Sequence, residues 1–129
     1  MRILVVDDKF QSRWVIAGWL SAFLDPSTVI ESAASGDEAL AAIETRRPDL
    51  VLAAYPMMTM DGIELARQVT ALANPPVVVV MADISSSEFE AECAAAGAAF
   101  SLEKRHLQAR LLDFMHDRFS VKIARRARN

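Results

Sequence analysis

Five short apolar runs, separated by longer segments with helical periodicity, constrain the fold of this chain more than any other feature. The runs are ILVV (3–6), TVIE (28–31), LVLA (50–53), VVVVM (77–81) and AAFSL (98–102). Three of them are almost continuous in Val, Ile and Leu rather than alternating with polar residues. Continuous apolar strands are typical of a parallel sheet that is covered by helices on both faces.

The segments between the runs are predicted helices. In residues 10–24, Ile16, Leu20 and Leu24 form one apolar stripe. The other predicted helices are a second from 35–38 to 46–47, a third over about 61–73, a fourth over about 85–97 and a fifth over about 106–118. Five strands alternating with five helices predict an α/β fold, a doubly wound five-stranded parallel sheet of the flavodoxin-like type. In such sheets, ligands bind at the carboxyl ends of the strands.

The charge of the chain is divided unevenly. The net charge is −3 over 129 residues, but the four cations in residues 122–129 leave −7 on residues 1–121. We predict one domain over residues 1–120 and a basic tail over 121–129, which either extends the last helix, is disordered or binds an acidic partner. An acidic body makes a nucleic-acid binder improbable.

Two further features bear on the compartment. The single cysteine, Cys93, excludes an intrachain disulfide and suits a reducing compartment. No apolar stretch approaches the roughly 20 residues that a membrane helix needs. The sequence therefore predicts a soluble cytoplasmic protein.

Charged residues follow the first and last predicted strands. Asp7 and Asp8 end the first strand, and Lys104 ends the fifth. Adjacent acids repel, so a divalent cation with oxygen ligands, such as Mg²⁺, would be a natural partner, and a lysine beside them could bind a phosphoryl group. Taken singly, the acid pair is equally well explained as a solvated turn, and a lysine after a strand is nearly always a solvated surface charge.

Four segments together resemble the receiver domain of bacterial two-component response regulators. They are ILVVDD, SGDEALAAIETRRPDLVL, MDGIELARQV and GAAFSLEK, and the resemblance covers roughly residues 1–118. It implies that Asp7, Asp8 and the carbonyl of Pro56 correspond to the Mg²⁺ ligands. It also implies that Lys104 corresponds to the lysine that contacts the phosphoryl group.

The phosphate-accepting aspartate of the family has no counterpart. That residue lies seven positions before the aspartate of Met-Asp-Gly, which is Asp61 here, so its place is taken by Ala54. An alanine cannot act as a nucleophile, so we expect no phosphorylation at position 54 and weakened or absent Mg²⁺ binding. Two origins remain open: an engineered substitution, which we favour at this stage, and a natural pseudo-receiver that works without phosphorylation.

The two switch positions of the family are also atypical. Met81 stands where the family has a Ser or Thr hydroxyl, and Ser101 stands where it has an aromatic residue. Arg105 replaces the usual proline after the lysine. A thioether cannot donate the hydroxyl hydrogen bond, so we expect the usual switch to be weak or missing.

The resemblance implies a stand-alone receiver that is not an enzyme and acts through protein contact. Its partners would be a histidine kinase or a histidine phosphotransfer protein, with a downstream protein target and a homodimer as further possibilities. A metal-dependent hydrolase on the same scaffold is the weaker alternative, because no nucleophile or general base faces the acids.

Large side chains near the predicted site have two interpretations each. Trp14 and Trp19 lie five positions apart on one helix, so we expect one at the core edge and the other exposed, where it could mark an interface. Met57, Met58 and Met60 form a soft interaction surface or, as we prefer, partly fill gaps in the core. Cys93 is predicted to be buried.

Overall fold

The computed structural model describes residues 1–123, in which strands and helices alternate along the whole chain. The bounds are β1 Arg2–Val6, α1 Phe10–Phe23, β2 Val29–Ala33, α2 Gly36–Arg46, β3 Leu50–Tyr55, α3 Gly62–Thr70, β4 Val77–Ala82, α4 Ser87–Ala95, β5 Phe100–Glu103 and α5 Leu107–Phe119. A short 3-10 turn, Lys104–His106, connects β5 to α5.

The strands form one parallel sheet in the order β2-β1-β3-β4-β5. This is the flavodoxin-like order, so the predicted fold class is confirmed. The order in which strands are added changes sides between β1 and β3: β2 lies on one side of this pair, and β4 and β5 lie on the other. Val6 of β1 is in register with Ala53 of β3. The carboxyl ends of β1, β3, β4 and β5 therefore meet at one edge, which brings the residues that follow these strands together.

Each face of the sheet is covered by its own apolar layer. One layer includes residues of α2, α3 and α4 packed on the sheet, and the other includes residues of α1 and α5. The predicted stripe of α1 is confirmed, because Ile16, Leu20 and Leu24 are all buried in the second layer. Cys93 is buried in the first layer, as predicted.

Two helices are shorter than predicted, and their ends have local causes. Helix α3 begins after Asp61, whose side chain accepts a hydrogen bond from the Glu64 N–H, and ends at Thr70 rather than near residue 73. Helix α4 begins after Ser86, whose hydroxyl accepts from the Phe89 N–H. Such N-caps satisfy donors that the first turn leaves unpaired.

Helix α5 ends at Phe119, and Ser120 has a left-handed backbone with φ of 56°. The tail therefore does not extend α5 through residues 120–123. Val121 and Ile123 instead pack against the apolar layer beneath α1 and α5. The remainder of the predicted tail, residues 124–129, lies outside the described residues. No helix within residues 1–123 is both long enough and apolar enough to cross a membrane.

Candidate functional site

Asp7 and Lys104 form an ion pair at the carboxyl edge of the sheet, although they are 97 positions apart in the chain. Asp7 is completely buried. The Lys104 Nζ donates to its Oδ2 at 2.8 Å, and the Lys9 N–H donates to its Oδ1 at 3.0 Å. The same ammonium donates to the Ser12 hydroxyl at 3.2 Å. A buried carboxylate is tolerated when it is paired and hydrogen-bonded in this way.

The electrostatic balance at Asp7 favours its charged form. Burial alone would raise the pKa of this carboxyl, but hydrogen bonds from Lys104, Ser12 and the Lys9 N–H outweigh it. The pKa of Asp7 is therefore lowered below its usual value of 3.8. Asp7 is an anion with a cation already bound to it.

Asp8 connects two loops instead of meeting Asp7. Its Oδ2 accepts a hydrogen bond from the Met58 N–H at 2.9 Å, which ties the β1–α1 loop to the β3–α3 loop. Pro56 lies in the second of these loops, is exposed and follows a cis peptide bond from Tyr55. The loop methionines differ in burial: Met58 is 90% exposed, whereas Met57 and Met60 pack against the core.

Ala54 lies near the end of β3, in an apolar environment. Its exposure is 1%, and its register partner on β4 is Met81, which is fully buried. Both belong to the apolar layer under α1 and α5, and Leu102 of β5 lies beside Met81 in the same layer. The position that the resemblance assigns to the phosphoacceptor is thus lined on its β4 side by a thioether.

Ser101 and Phe100 point to opposite faces of β5, as successive strand residues do. Ser101 is half-buried and hydrogen-bonds with the Cys93 thiol on α4. Phe100 stacks on Phe114 of α5, with 5.2 Å between ring centroids, and the Arg110 guanidinium lies 5.1 Å over its ring. Phe100, the aromatic residue one position before Ser101, therefore faces α5 and is already packed.

Sequence reasoning missed three residues that hold this edge together. Ser12 bonds to Lys104, and the Arg13 guanidinium donates to the backbone oxygen of Asp7 at 2.9 Å. Glu103 accepts from the Ser85 N–H at 2.9 Å and from Arg105 at 2.6 Å, which anchors the β4–α4 loop. These contacts lower the pKa of Glu103. The one sequence signal for Ser12 and Arg13 was their position in the first turn of the helix that follows Asp7 and Asp8.

A groove of about 730 Å³ opens at the other edge of the sheet. It is lined by residues at the amino ends of β3 and β4, such as Pro48, Asp49 and Pro76, and by Leu72. None of the predicted site residues contributes to it. Asp49, the nearest acid before Ala54 in the chain, lies at this far edge, where its Oδ2 accepts a hydrogen bond from the Arg2 N–H at 2.8 Å.

The model of the family described as "Response regulator receiver domain" matches residues 3–116. The chain belongs to the response regulator receiver domain family. This places it in two-component signalling and confirms the resemblance read from the four sequence segments.

Two similar proteins are longer than this chain. It is 37% identical over 106 residues to a protein-glutamate methylesterase/protein-glutamine glutaminase of Anaeromyxobacter dehalogenans, a match that covers 81% of this chain and 30% of that protein. It is 38% identical over 80 residues to the positive alginate biosynthesis regulatory protein of Pseudomonas aeruginosa, covering 61% of this chain and 32% of that protein. The chain thus spans about a third of the length of these relatives.

Solved receiver structures share the fold. The receiver domain of NtrX from Brucella abortus is 29% identical, with a TM-score of 0.76 and coverage of 89% of this chain and 95% of that one. The response regulator domain of Thermotoga maritima CheB is 22% identical, with a TM-score of 0.81 and coverage of 95% and 98%. The latter match shows the fold alone.

Receiver domains generally bind Mg²⁺ at the phosphorylation site, and a CheX–CheY complex of Borrelia burgdorferi with the same fold was solved with BeF₃ and Mg²⁺. This receiver offers a poorer ligand set. Asp7 is taken by Lys104, one oxygen of Asp8 is taken by Met58, and position 54 has no carboxylate. Nowhere in residues 1–123 do three His, Cys, Asp or Glu side chains gather to hold a metal. The residues present do not fit a Mg²⁺ site.

Proposed function

We propose that this chain is a receiver domain that signals through protein contact without accepting phosphate at position 54. The observation that carries the proposal is the environment of Ala54, which is buried beside Met81 in an apolar layer. Phosphorylation of a receiver needs a carboxylate nucleophile and a counter-charge. A methyl group cannot supply the first, and the counter-charge on Lys104 is already paired with Asp7.

The hydroxyl position of the expected switch, which Met81 occupies, is also altered. Met81 is fully buried and its thioether cannot donate a hydrogen bond to a phosphoryl oxygen. Restoring a carboxylate at position 54 would therefore leave the hydroxyl contact missing. Because Met81 packs beside Ala54, the two residues suit each other, which favours a natural pseudo-receiver over an engineered Asp-to-Ala change, the origin that we favoured from sequence.

The proposed partners are those of the family. A histidine kinase or a histidine phosphotransfer protein would dock at the carboxyl edge of the sheet, and a downstream protein would read the domain through contact. The methylesterase activity named for the longer relatives belongs to those proteins, of which this chain matches about a third or less in length. We assign no enzymatic activity to this chain.

Treatment with acetyl phosphate and Mg²⁺, followed by intact mass measurement, tests the proposal. Three proteins are compared: the chain itself, Ala54→Asp, and Ala54→Asp with Met81→Thr. We expect no phosphoryl adduct on the chain, a trace on the single variant and the strongest labelling on the double variant, because the double variant restores both nucleophile and hydroxyl.

Two results would overturn the proposal. One is a phosphoryl adduct that peptide mapping places at another carboxylate of the unmodified chain, such as Asp7 or Asp8, because such a receiver would not signal independently of phosphorylation. The other is metal-dependent hydrolysis of phosphate esters by the chain, which would revive the hydrolase alternative. Equal labelling of the single and double variants would show that Met81 does not limit the site.

A further inference from the structure

The exposed side of helix α1 lacks charge, which is unusual for a helix that faces solvent. Helix α1 has 14 residues, and Arg13 is its one ionisable side chain. That guanidinium is turned toward the site, where it donates to the Asp7 backbone oxygen. The residues exposed on the outer side, named here the α1 face, are Phe10, Gln11, Trp14, Val15, Gly18, Ser21 and Ala22. Depletion of charge together with an exposed aromatic residue is typical of the centre of a protein interface.

The α1 face carries a protrusion and a notch one helical turn apart. Trp14 is 70% exposed and Val15 beside it is 60% exposed. Four positions after Trp14, a Cβ built on Gly18 would meet no atom within 4 Å. Residues four apart lie on the same side of a helix. The notch continues into a groove of about 480 Å³ between α1 and β2, lined by Trp19 and Ile30 among others.

Trp19 lines the same groove but differs from Trp14 in its packing. Unlike Trp14, it lies against the core and its ring contacts Phe23 at 5.7 Å between centroids. The prediction that one Trp is packed and the other exposed is therefore confirmed. Within residues 1–123, Trp14 packs on neither apolar layer and is 70% exposed, so its apolar surface is left for a partner.

We propose that the α1 face binds the α1 face of a second copy of this chain, with the two helices antiparallel. In that arrangement Trp14 of each copy fills the notch over Gly18 of the other. A two-fold contact requires that one surface supply both halves of each pair, and the knob and notch on one face meet this requirement. Side chains that fill gaps on a facing helix are the usual basis of helix packing.

Electrostatics restricts where a second copy could bind. The chain carries a net charge of −3, and residues 1–121 carry −7, so two copies repel each other over most of their surfaces. The α1 face is a place where two copies meet without bringing like charges together. Its uncharged residues Gln11 and Ser21 would lie at opposite ends of the paired helices and flank the Trp14 contacts.

The size of the face sets the expected affinity. A helix of 14 residues is roughly 21 Å long and about 10 Å wide. Such a contact lies at the small end of specific interfaces, which bury less than about 600 Å² per partner. We therefore expect a reversible dimer with a micromolar dissociation constant rather than a permanent one.

Sedimentation equilibrium over a range of protein concentrations tests the proposal. We expect concentration-dependent dimerisation of the chain and at least about a tenfold weaker association, equal to about 1.4 kcal/mol, in Gly18→Glu and in Trp14→Ala. Gly18→Glu fills open space, so the monomer is expected to fold normally. Ile84→Ala is the matched control, because Ile84 is 81% exposed but lies on the β4–α4 loop.

A swapped variant separates direct pairing from a general loss of apolar surface. Trp14→Gly combined with Gly18→Trp exchanges knob and notch, so an antiparallel pair regains its fit. Recovery of the dimer in the swap supports the proposal, and failure to recover refutes the pairing of Trp14 with Gly18.

Other outcomes would also overturn the inference. A chain that stays monomeric up to about 1 mM, the limit at which binding is worth only about 4 kcal/mol, does not use this face for a second copy. If such a monomer binds a four-helix phosphotransfer domain and Gly18→Glu weakens that binding, the face belongs to that partner. A dimer with the same dissociation constant in Gly18→Glu and in Ile84→Ala uses another surface.

Discussion

At position 54 a methyl group is buried in an apolar layer, near the edge of the sheet where the Asp7–Lys104 ion pair is complete without it. Asp7 has its charge balanced by Lys104, and Ala54 adds no charge. A carboxylate introduced there would lose its hydration and would lie in an apolar layer next to Met81. Desolvation of an unpaired carboxylate is costly.

Ala54→Asp should therefore lower the free energy of unfolding by about 1–3 kcal/mol when chelator is present. Thermal unfolding at pH 7 in chelator measures the effect. Ala54→Asn, which adds similar volume without charge, is the control, and its loss should be smaller. A melting temperature for Ala54→Asp equal to or above that of the chain would contradict the prediction.

The Asp7–Lys104 pair makes stability depend on pH. The pKa of Asp7 is lowered in the folded state, so its stabilisation is fully present above the ordinary pKa of 3.8. It is lost as the pH falls from 3.8 through the lowered folded value, because the unfolded state then binds the proton first.

Lys104→Met removes the ammonium but keeps most of the apolar stem. We expect a loss of about 1–3 kcal/mol at pH 7, below the range for fully buried pairs because the Lys104 side chain is partly exposed. Urea unfolding at pH 7 and at about pH 3 checks it: the difference from the parent chain should shrink at the lower pH. A difference that does not change with pH would mean that packing, not charge, links these residues.

At the scale of elements, the start of α3 is held against the end of β3. A Cβ at Gly62 would lie 2.7 Å from the Ala54 backbone oxygen and 2.9 Å from that of Ala53. Backbone atoms cannot move aside as a side chain can, so glycine is required here by close approach. Gly18 on α1 is the opposite case, because a Cβ built on this helical glycine would meet no atom within 4 Å.

Replacing these two glycines by alanine should have effects of opposite sign. Gly62→Ala is expected to cost about 1–3 kcal/mol through overpacking, whereas Gly18→Ala should gain up to about 1 kcal/mol through helix propensity. Chemical denaturation at low protein concentration compares them. A stabilised Gly62→Ala variant would show that α3 can shift away from β3.

At the scale of the whole molecule, two apolar layers enclose the sheet, and Cys93 reports on the integrity of one of them. Burial raises the pKa of its thiol to about 11, and its exposure is 1%. The thiolate is the reactive form, so both protonation and access protect this residue in the folded state.

Native protein at pH 8 should react with a thiol reagent at least about a hundred times more slowly than the protein unfolded in urea, since only a small fraction of a thiol with so high a pKa is ionised. The rate of absorbance change with a disulfide reagent gives the measurement. Equally fast reaction in the absence of urea would mean that α4 separates readily from the sheet.

Helices and strands were predictable because their apolar patterns are local. The VVVVM run and the Ile16–Leu20–Leu24 stripe each required only neighbouring residues, and both are in the elements predicted. The limits of α3 and α4 were predicted less well, because they depend on which polar side chain caps the first turn. Ser86, and not Ser85, caps α4: the Ser86 hydroxyl accepts from the Phe89 N–H, whereas the Ser85 hydroxyl donates to the Glu90 carboxylate at 3.4 Å.

The sequence by itself determined the order of elements, the receiver resemblance and the alanine at position 54, since counting along the chain requires no folding. Only the tertiary structure decided that Asp7 is paired with Lys104, 97 positions away, and that Asp8 binds the Met58 N–H, 50 positions away. It also decided that Trp14 and Gly18 face solvent. Contacts between distant residues, and the exposure left after packing, depend on how whole elements meet, which no local pattern encodes.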